Sequence, residues 1–326
     1  TPLRSIDIFA KVKNIIFITL ANICILFIGC KSESDPSQLR IAYNVLVDPN
    51  SDDYDIFLMD LDGKNPTNIS NNECIDWVYS AYSDKLYIIS DRDTCTRCYF
   101  LYETDTKGTY WNKISKTLIQ DSWVSLRAEG TELIIKPAGT AYEVFQIIDL
   151  QGNILSTVDP KMDYFNDPCF SPDGSSIIFR GYNGDLNRSN EAELYSLNLT
   201  TQEKKKITNY PANASTFGHF QYYAGPPRWS PKYGKITYSS SSNNHSRIKA
   251  IDTIKIKPKS LTGHNIKSIW HDISPDGRYL AFDGQLDFKA DSATSDIFII
   301  DFDLRSATKL TIGNGYKQGP VFLYEK

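Results

Sequence analysis

Phe170-Ser171-Pro172-Asp173-Gly174-Ser175-Ser176-Ile177-Ile178-Phe179 is the stretch on which the fold turns. An apolar residue enters a Ser-Pro-Asp-Gly turn, and an apolar run ending in an aromatic leaves it. Proline presets the first turn angle and glycine accepts a positive φ, so the segment predicts a β-hairpin. The pattern recurs. Ile273-Ser274-Pro275-Asp276-Gly277 leads to Leu280-Ala281-Phe282, and Trp229-Ser230-Pro231-Lys232-Tyr233-Gly234 leads to Ile236-Thr237-Tyr238. Weaker copies run from Tyr79 to Leu86-Tyr87-Ile88 and from Leu126 to Leu133-Ile134-Ile135. Phe322 opens a sixth copy with no hairpin after it. The starts at Tyr79, Leu126, Phe170, Trp229, Ile273 and Phe322 are 47, 44, 59, 44 and 49 residues apart. That is the length of four strands and their loops.

Downstream of each hairpin lies a third apolar run, often ending near an acid: 54–60, 99–102, 142–149, 193–197, 247–252 and 296–301. Short polar fourth strands are expected at 205–208, 259–262 and 309–311. Four antiparallel strands, six times over, predict an all-β chain: a six-bladed β-propeller. Leu39-Arg40-Ile41-Ala42-Tyr43 reads as a second strand lacking its first. Gly319-Pro320-Val321-Phe322-Leu323-Tyr324 reads as a first strand lacking its second. The C-terminal strand is therefore expected to complete the first blade and close the ring, which hides edges that would invite aggregation.

Composition agrees. Aromatics make up 13% of the 326 residues, with 20 Tyr and 16 Phe, which favours strands over a helical bundle. The net charge of −4 argues against a general nucleic-acid binder, which needs a basic face.

The first thirty residues read as an address. Arg4, Lys11 and Lys13 precede an apolar run at 15–29, about the length of a signal-peptide core. It ends in Phe27-Ile28-Gly29-Cys30, which resembles a bacterial lipobox. The expected organisation is a lipoprotein signal peptide at 1–29, lipidated Cys30 with a flexible tether at 30–38, and a propeller at 39–326. Acyl chains contribute about 0.8 kcal/mol per buried methylene, so Cys30 would hold the chain to a membrane. The polar, acidic start Lys31-Ser32-Glu33-Ser34-Asp35 is similar to the tethers of Bacteroidetes surface lipoproteins. The expected location is the bacterial cell envelope, as an outer-membrane lipoprotein facing the periplasm or the cell surface.

The Pro-x-Trp/Phe-Ser-Pro-Asp-Gly, Ile-x-Phe and Asp-Ile-Phe-x-x-Asp pattern resembles the repeats of TolB-like propellers over 39–326, most closely at 163–209 and 226–311. That resemblance implies an envelope propeller that binds protein partners. The chain departs from the family in showing no evident α/β domain before its repeats and in carrying a lipobox, which argues against a role in the Tol system.

Loop lengths point to one face. Segments 48–53, 91–98, 181–192, 209–227 and 283–295 are long, and all would emerge on the same side of a four-stranded-blade ring. The turns of the opposite side are short. Long loops on a rigid scaffold are where binding usually sits. Residues just before the first strands should ring the central mouth: Asp76-Trp77, Trp123, Asn166-Asp167, Arg228, Trp270-His271-Asp272 and Gln318. Carboxylates beside Trp and His could hold a cationic or sugar-like ligand by hydrogen bonds and stacking. The loop 209–227 adds aromatics outside the repeat register: Phe217, Phe220, Tyr222 and Tyr223, with His219 among them. The expected partner is an envelope protein or a glycan at the loop face, and the expected state is a monomer.

No cofactor or metal is expected. Asp48, Asn50 and Asp52 mimic the start of a calcium loop, as do Asp185, Asn187, Ser189 and Glu191, but the required glycine is absent from both. Cys95-x-x-Cys98 could be a tight disulfide or half of a zinc site, and the pairing of Cys74 and Cys169 is left open. There is no Gly-x-Ser-x-Gly elbow and no His-Glu-x-x-His. Oligogalacturonate lyases are propellers with related repeats that cluster His around a metal. The four histidines here, His219, His245, His264 and His271, fall at unlike blade positions. A non-enzymatic binding propeller is the expectation. The alternatives are a propeller lyase or hydrolase with a metal or carboxylate site in the funnel, and a structural subunit of an envelope complex.

Overall fold

The Ser-Pro-Asp-Gly segments close as the sequence predicts. Ser171 Oγ donates to Asp173 Oδ1 (2.6 Å) and accepts from Ser176 N (3.0 Å). Gly174, at φ 68°, donates its N–H to Ser171 O (2.8 Å). Ser274, Asp276, Gly277 and Tyr279 repeat the same bonds. The turn is thus locked by side chains as well as by backbone geometry. In the degenerate second-blade hairpin no glycine is present, and Ser83 adopts the left-handed conformation at φ 56°.

This computed structural model describes residues 39–184, 192–210, 222–230, 234–242, 245–252, 257–286, 294–313 and 315–325. Among them run twenty-four strands in six antiparallel four-stranded sheets. Blade one contains β1 (Leu39–Asp48), β2 (Asp53–Asp60), β3 (Thr67–Asn68) and, as its inner strand, the C-terminal β24 (Lys317–Tyr324). Blade two is β4 (Asp76–Tyr82), β5 (Lys85–Ser90), β6 (Phe100–Asp105) and β7 (Asn112–Lys113). Blade three is β8 (Ser125–Arg127), β9 (Glu132–Ile135), β10 (Phe145–Asp149) and β11 (Ile154–Val158). Blade four is β12 (Tyr164–Phe170), β13 (Ser176–Tyr182), β14 (Glu193–Asn198) and β15 (Lys204–Lys206). Blade five is β16 (Tyr222–Ser230), β17 (Lys235–Ser242), β18 (His245–Asp252) and β19 (Lys259–Ser260). Blade six is β20 (Lys267–Ile273), β21 (Tyr279–Gln285), β22 (Asp296–Asp301) and β23 (Ser306–Lys309). The fold is the six-bladed propeller, closed as expected. β24 pairs with β1 from Leu39↔Tyr324 to Val45↔Lys317.

Side chains alternate across each strand, so each second strand feeds two different interfaces. Ile41 packs with Ala281, Ile297 and Ile299 of blade six, while its neighbour Ala42 packs with Val78, Leu86 and Ile88 of blade two. Ile134 likewise joins Phe165 and Phe179 of blade four, while Leu133 and Ile135 join Tyr79 and Trp123. Both faces of the sheets are buried, which explains why these strands read as continuous apolar runs rather than alternating ones.

The outer strands differ slightly from expectation. β15 and β23 end before Thr208 and Thr311, because those threonines serve as caps. Thr208, Thr262 and Thr311 accept through Oγ1 from Leu194, Ile248 and Ile297 N at 2.9, 3.1 and 3.0 Å. Ser70 and Ser115 do the same for Ile56 and Leu101 (2.9 and 2.8 Å). Segment 142–144 also lies outside β10, and Tyr142 is 83% exposed.

Cys95 and Cys98 form a disulfide, and Cys74 and Cys169 are free thiols. Asp48 caps its own turn through Asn50 N and Ser51 Oγ, and Asp52 pairs with Arg97. Cys30, the segment before it and the second calcium-like stretch at 185–191 lie outside the described residues.

Candidate functional site at the channel mouth

The inner strands do not run straight. In five blades the pairing between inner and second strand shifts register: at Val78/Ser80, Asn166/Cys169, Ala224/Pro227, Ser268/His271 and, on β1, Ala42/Asn44. Such bulges bend a strand and leave backbone groups unpaired. Buried polar side chains take those groups up. Asn44 Oδ1 accepts from Val78 N (2.8 Å), Asp283 Oδ1 from Trp270 N (2.6 Å) and Asp167 Oδ1 from Trp123 N (3.1 Å). Lys136 Nζ donates to Phe165 O (2.7 Å).

Two cavities lie along the inner strands. The one on the long-loop side has about 280 Å³ and is lined by Trp77, Tyr79, Asp121, Trp123, Asn166, Asp167, Arg180, Tyr223, Ser239 and Trp270. The one on the short-turn side has about 270 Å³, with Tyr82, Arg127, Cys169, Arg228, Asp272 and Phe322 in its wall. Arg228, in the wall of the second, reaches residues of the first. Its guanidinium lies over the Trp123 ring at 3.6 Å, donates to Tyr79 O (3.0 Å) and faces Asp272 (3.4 Å).

The loop-side cavity is aromatic with a charged floor. Tyr79 stacks on Trp123 (5.4 Å between centroids), and Trp77 meets Trp270 edge-on (5.8 Å) and Tyr54 at 4.2 Å. Tyr79 donates its hydroxyl to Asp121 Oδ1 (2.5 Å). The Asp121 side chain is exposed where it opens onto the cavity. Desolvation by the protein around it still pushes its carboxyl above the usual carboxylate range, against the pull of the Tyr79 hydroxyl. Asp167 is ion-paired to Arg180 and sits in the left-handed region at φ 54°. Three further lining residues carry buried polar atoms with no partner among the described residues: Trp77 Nε1, Asn166 Oδ1 and Ser239 Oγ.

Of the mouth residues expected from sequence, Trp77, Trp123, Asn166, Asp167 and Trp270 line this cavity, joined by Tyr223 from the expected loop aromatics. Arg228 and Asp272 line the other. Asp76, His271 and Gln318 line neither, and Gln318 Nε2 donates to the Tyr54 hydroxyl (3.2 Å). Asp76 is fully buried in a two-oxygen pair with Arg92 (3.0 and 2.8 Å), which is itself stacked over Trp111 at 3.3 Å. His271 is buried, its Nε2 within 2.9 Å of Thr237 Oγ1, and burial drives its pKa down to about 3. Both are structural groups. Tyr222 lies at the start of β16. Phe217, Phe220 and His219 lie outside the described residues, as does the Tyr222 side chain.

Asp121, Arg180 and Ser239 were not anticipated as site residues. The signal for two of them is the residue after each hairpin aromatic: Phe179-Arg180, Tyr238-Ser239, Phe282-Asp283 and Tyr43-Asn44. A polar residue recurring at a buried strand position is what a bulged inner strand demands. Asp121 lies in the irregular segment before β8 and has no repeat to reveal it.

No protein-family model matches the sequence, and neither does any curated protein. The likeness is to solved structures. TolB from Acinetobacter baumannii superposes with a TM-score of 0.66 at 16% identity, over 87% of this chain and 66% of that one. A putative TolB from Agrobacterium tumefaciens gives 0.60 at 14%, over 86% and 91%. A chain of a nidogen/laminin complex gives 0.58 at 9%, over 87% and 98%. The chain thus spans just under two thirds of the Acinetobacter protein's length. The fold is that of a TolB-like β-propeller.

Proposed function

We propose that this protein is a non-catalytic, ligand-binding propeller of the bacterial cell envelope that engages a protein or glycan partner through its long-loop face. One observation carries the reading: on the long-loop side the channel opens into a cavity of about 280 Å³ where the partly exposed Trp270 and the exposed Asp121 stand beside Trp77 and Trp123. Aromatic faces beside a few polar groups in a concave pocket are what ligand sites present. The lipobox-like Cys30 and the likeness to TolB structures support the envelope setting.

The test is site-specific photocrosslinking in native envelopes. A crosslinker at Tyr142, on a loop of the cavity side, should give discrete adducts. One at Asp62, in a turn of the opposite side, should not. Adducts from Asp62 alone, or from neither, would overturn the reading.

A second reading has one observation in its favour. Asp121, with its raised pKa, and Asp167, paired to Arg180, line the same cavity, as a hydrolase or lyase with two carboxylates would need. Turnover of envelope polysaccharides by the purified protein, lost in Asp121→Asn, would establish it in place of the first.

A further inference from the structure

We infer that the cleft between blades five and six, on the short-turn side, binds a small amphipathic anion: an acyl chain with a carboxylate or phosphate head. The site lies on the face opposite the long loops and is independent of the loop-face reading.

Like positions around the ring set this cleft apart. In five blades one apolar residue at the fourth strand donates its N–H back to the third: Ile69 to Ile56, Ile114 to Leu101, Ile207 to Leu194, Leu261 to Ile248 and Leu310 to Ile297. Ile69, Ile114, Ile207 and Leu310 are buried, whereas Leu261 is partly exposed. The next blade's turn between third and fourth strands covers three of the buried ones. Gly63, Gly108 and Gly152 lie so close to the carbonyls of Leu310, Ile69 and Ile114 that a Cβ on any of them would collide with the oxygen. Each glycine closes its turn by donating to the aspartate three residues before it. The turn of blade six, which begins at Phe302 beside Leu261, is built differently. It closes four residues after Asp301, through Arg305 at φ 54°, and contains no glycine. A residue with a Cβ cannot make the close approach that glycine makes in the other blades.

What remains is a cavity of about 450 Å³, in the range of small-molecule sites, about 300–1,000 Å³. Its floor is apolar: Leu261 and Phe302, both partly exposed, with Ala250 and Ile273. Its rim is basic. Lys235, Lys257 and Lys259 are exposed, and none of them makes an ion pair with a described residue. Cations at the start of other second strands are paired: Arg40 with Asp60, Lys85 with Glu103 and Arg278 with Asp301. Asp252 is the single acid among the described lining residues, and it has a partner of its own.

This combination selects among ligands. A bare anion would leave the apolar floor wet, and an uncharged amphiphile would leave three like charges together. A cationic amphiphile would add a fourth. An acyl chain on the floor with an anionic head at the rim meets both, because lysine stems lie along apolar surface while their ammonium groups turn to the charge. Each methylene buried should tighten binding about fourfold.

The experiment is calorimetry of the full chain with dodecanoate, dodecyl phosphate, dodecanol and dodecyltrimethylammonium, each below its micelle concentration. One or both anions should bind at least tenfold more tightly than the alcohol and the cation, and octanoate should bind more weakly than dodecanoate. The anion that binds better identifies the head group. The double variant Lys235→Glu/Lys259→Glu, which changes only exposed side chains, should weaken anion binding tenfold or more. Ala250→Phe fills the cavity without touching the lysines and should do the same, with a thermal melt confirming that it folds. Lys205→Glu, on the outer strand of blade four, should bind as the parent does. Equal binding of all four probes would overturn the inference, as would anion binding that both cleft variants retain, or no binding by either anion.

Discussion

The guanidinium carbon of Arg228 lies 3.6 Å from the centroid of the Trp123 indole, although the two residues belong to blades five and three. The same guanidinium reaches Tyr79 O on blade two, which stands opposite blade five in a ring of six. One side chain therefore ties blade five to blades two and three across the channel. Its Coulombic partner Asp272 in turn accepts from Phe322 N (2.9 Å) of the closing strand.

Arg228→Ala should destabilise the ring strongly. It leaves Asp272, which is mostly buried and whose pKa burial already raises, without its cation. Removing one partner of a buried pair costs about 3–5 kcal/mol. Arg228→Lys keeps the charge but loses the planar stack and the fork, so its loss should be smaller. Urea denaturation of the two variants reads this directly; equal stability of parent and alanine variant would contradict it.

Two buried groups on adjacent strands make stability respond to pH in opposite senses. Burial raises the Asp283 pKa to about 7 and lowers that of His271 to about 3. Between about pH 4 and 6.5 the unfolded chain has lost the Asp283 proton that the folded chain keeps, so this group costs stability as pH rises. In the same window the unfolded chain holds a His271 proton that the folded chain lacks, so this group costs stability as pH falls. Each slope is about 1.4 kcal/mol per pH unit, and they oppose. Asp283→Asn should leave a chain that weakens on acidification from pH 6.5 to 4.5. His271→Gln should leave one that strengthens. Parallel pH profiles for the two variants would refute the assignment.

The turns make a paired prediction. Ser83 holds φ 56° without being glycine, whereas Gly174 holds φ 68° in the equivalent hairpin of blade four. A left-handed residue with a Cβ costs about 1–2 kcal/mol. Ser83→Gly should therefore raise stability, by about 0.5–1 kcal/mol after the entropy glycine loses on folding. Gly174→Ala should lower it by about 1–2 kcal/mol, with its Cβ 3.1 Å from Arg127 Cδ. Thermal melts of the two should move in opposite directions.

The architecture was legible because the clearest repeats state it twice: in the Ser-Pro-Asp-Gly turn at Gly174 and Gly277, and in the apolar run that follows. The mouth was half legible. Trp123, Asp167 and Trp270 follow from their place before a first strand. Asp76 and His271 share that place, but Arg92 and Thr237 claim them, and a repeat frame holds no record of which partner lies across a blade interface. Asp121 stands in an irregular segment whose path is set by packing, through Tyr79 and Asn166, and has no periodic signal.

Ring closure is the sharpest test of the fold. β24 contributes the inner strand of blade one from the far end of the chain, and its side chains serve two interfaces. Phe322 packs in the core between blades six and one, and Val321 and Leu323 pack in the core between blades one and two. Full burial of each is worth about 1.5–3 kcal/mol, so their joint loss approaches the whole stability of a typical domain. Tyr324 N also bonds Ser83 O (2.9 Å), and Asp272 would lose the Phe322 N–H it accepts. Deleting 316–326 should therefore abolish a cooperative melt and expose the edge of β1 to self-association. Phe322→Ala separates closure from simple core loss. It removes the ring but keeps the strand, so it should cost about 3–5 kcal/mol while the transition stays cooperative. Adding a peptide of residues 316–326 to the truncated chain should restore part of the melt. A truncated chain that melts like the parent would show that blade one is held without its C-terminal strand.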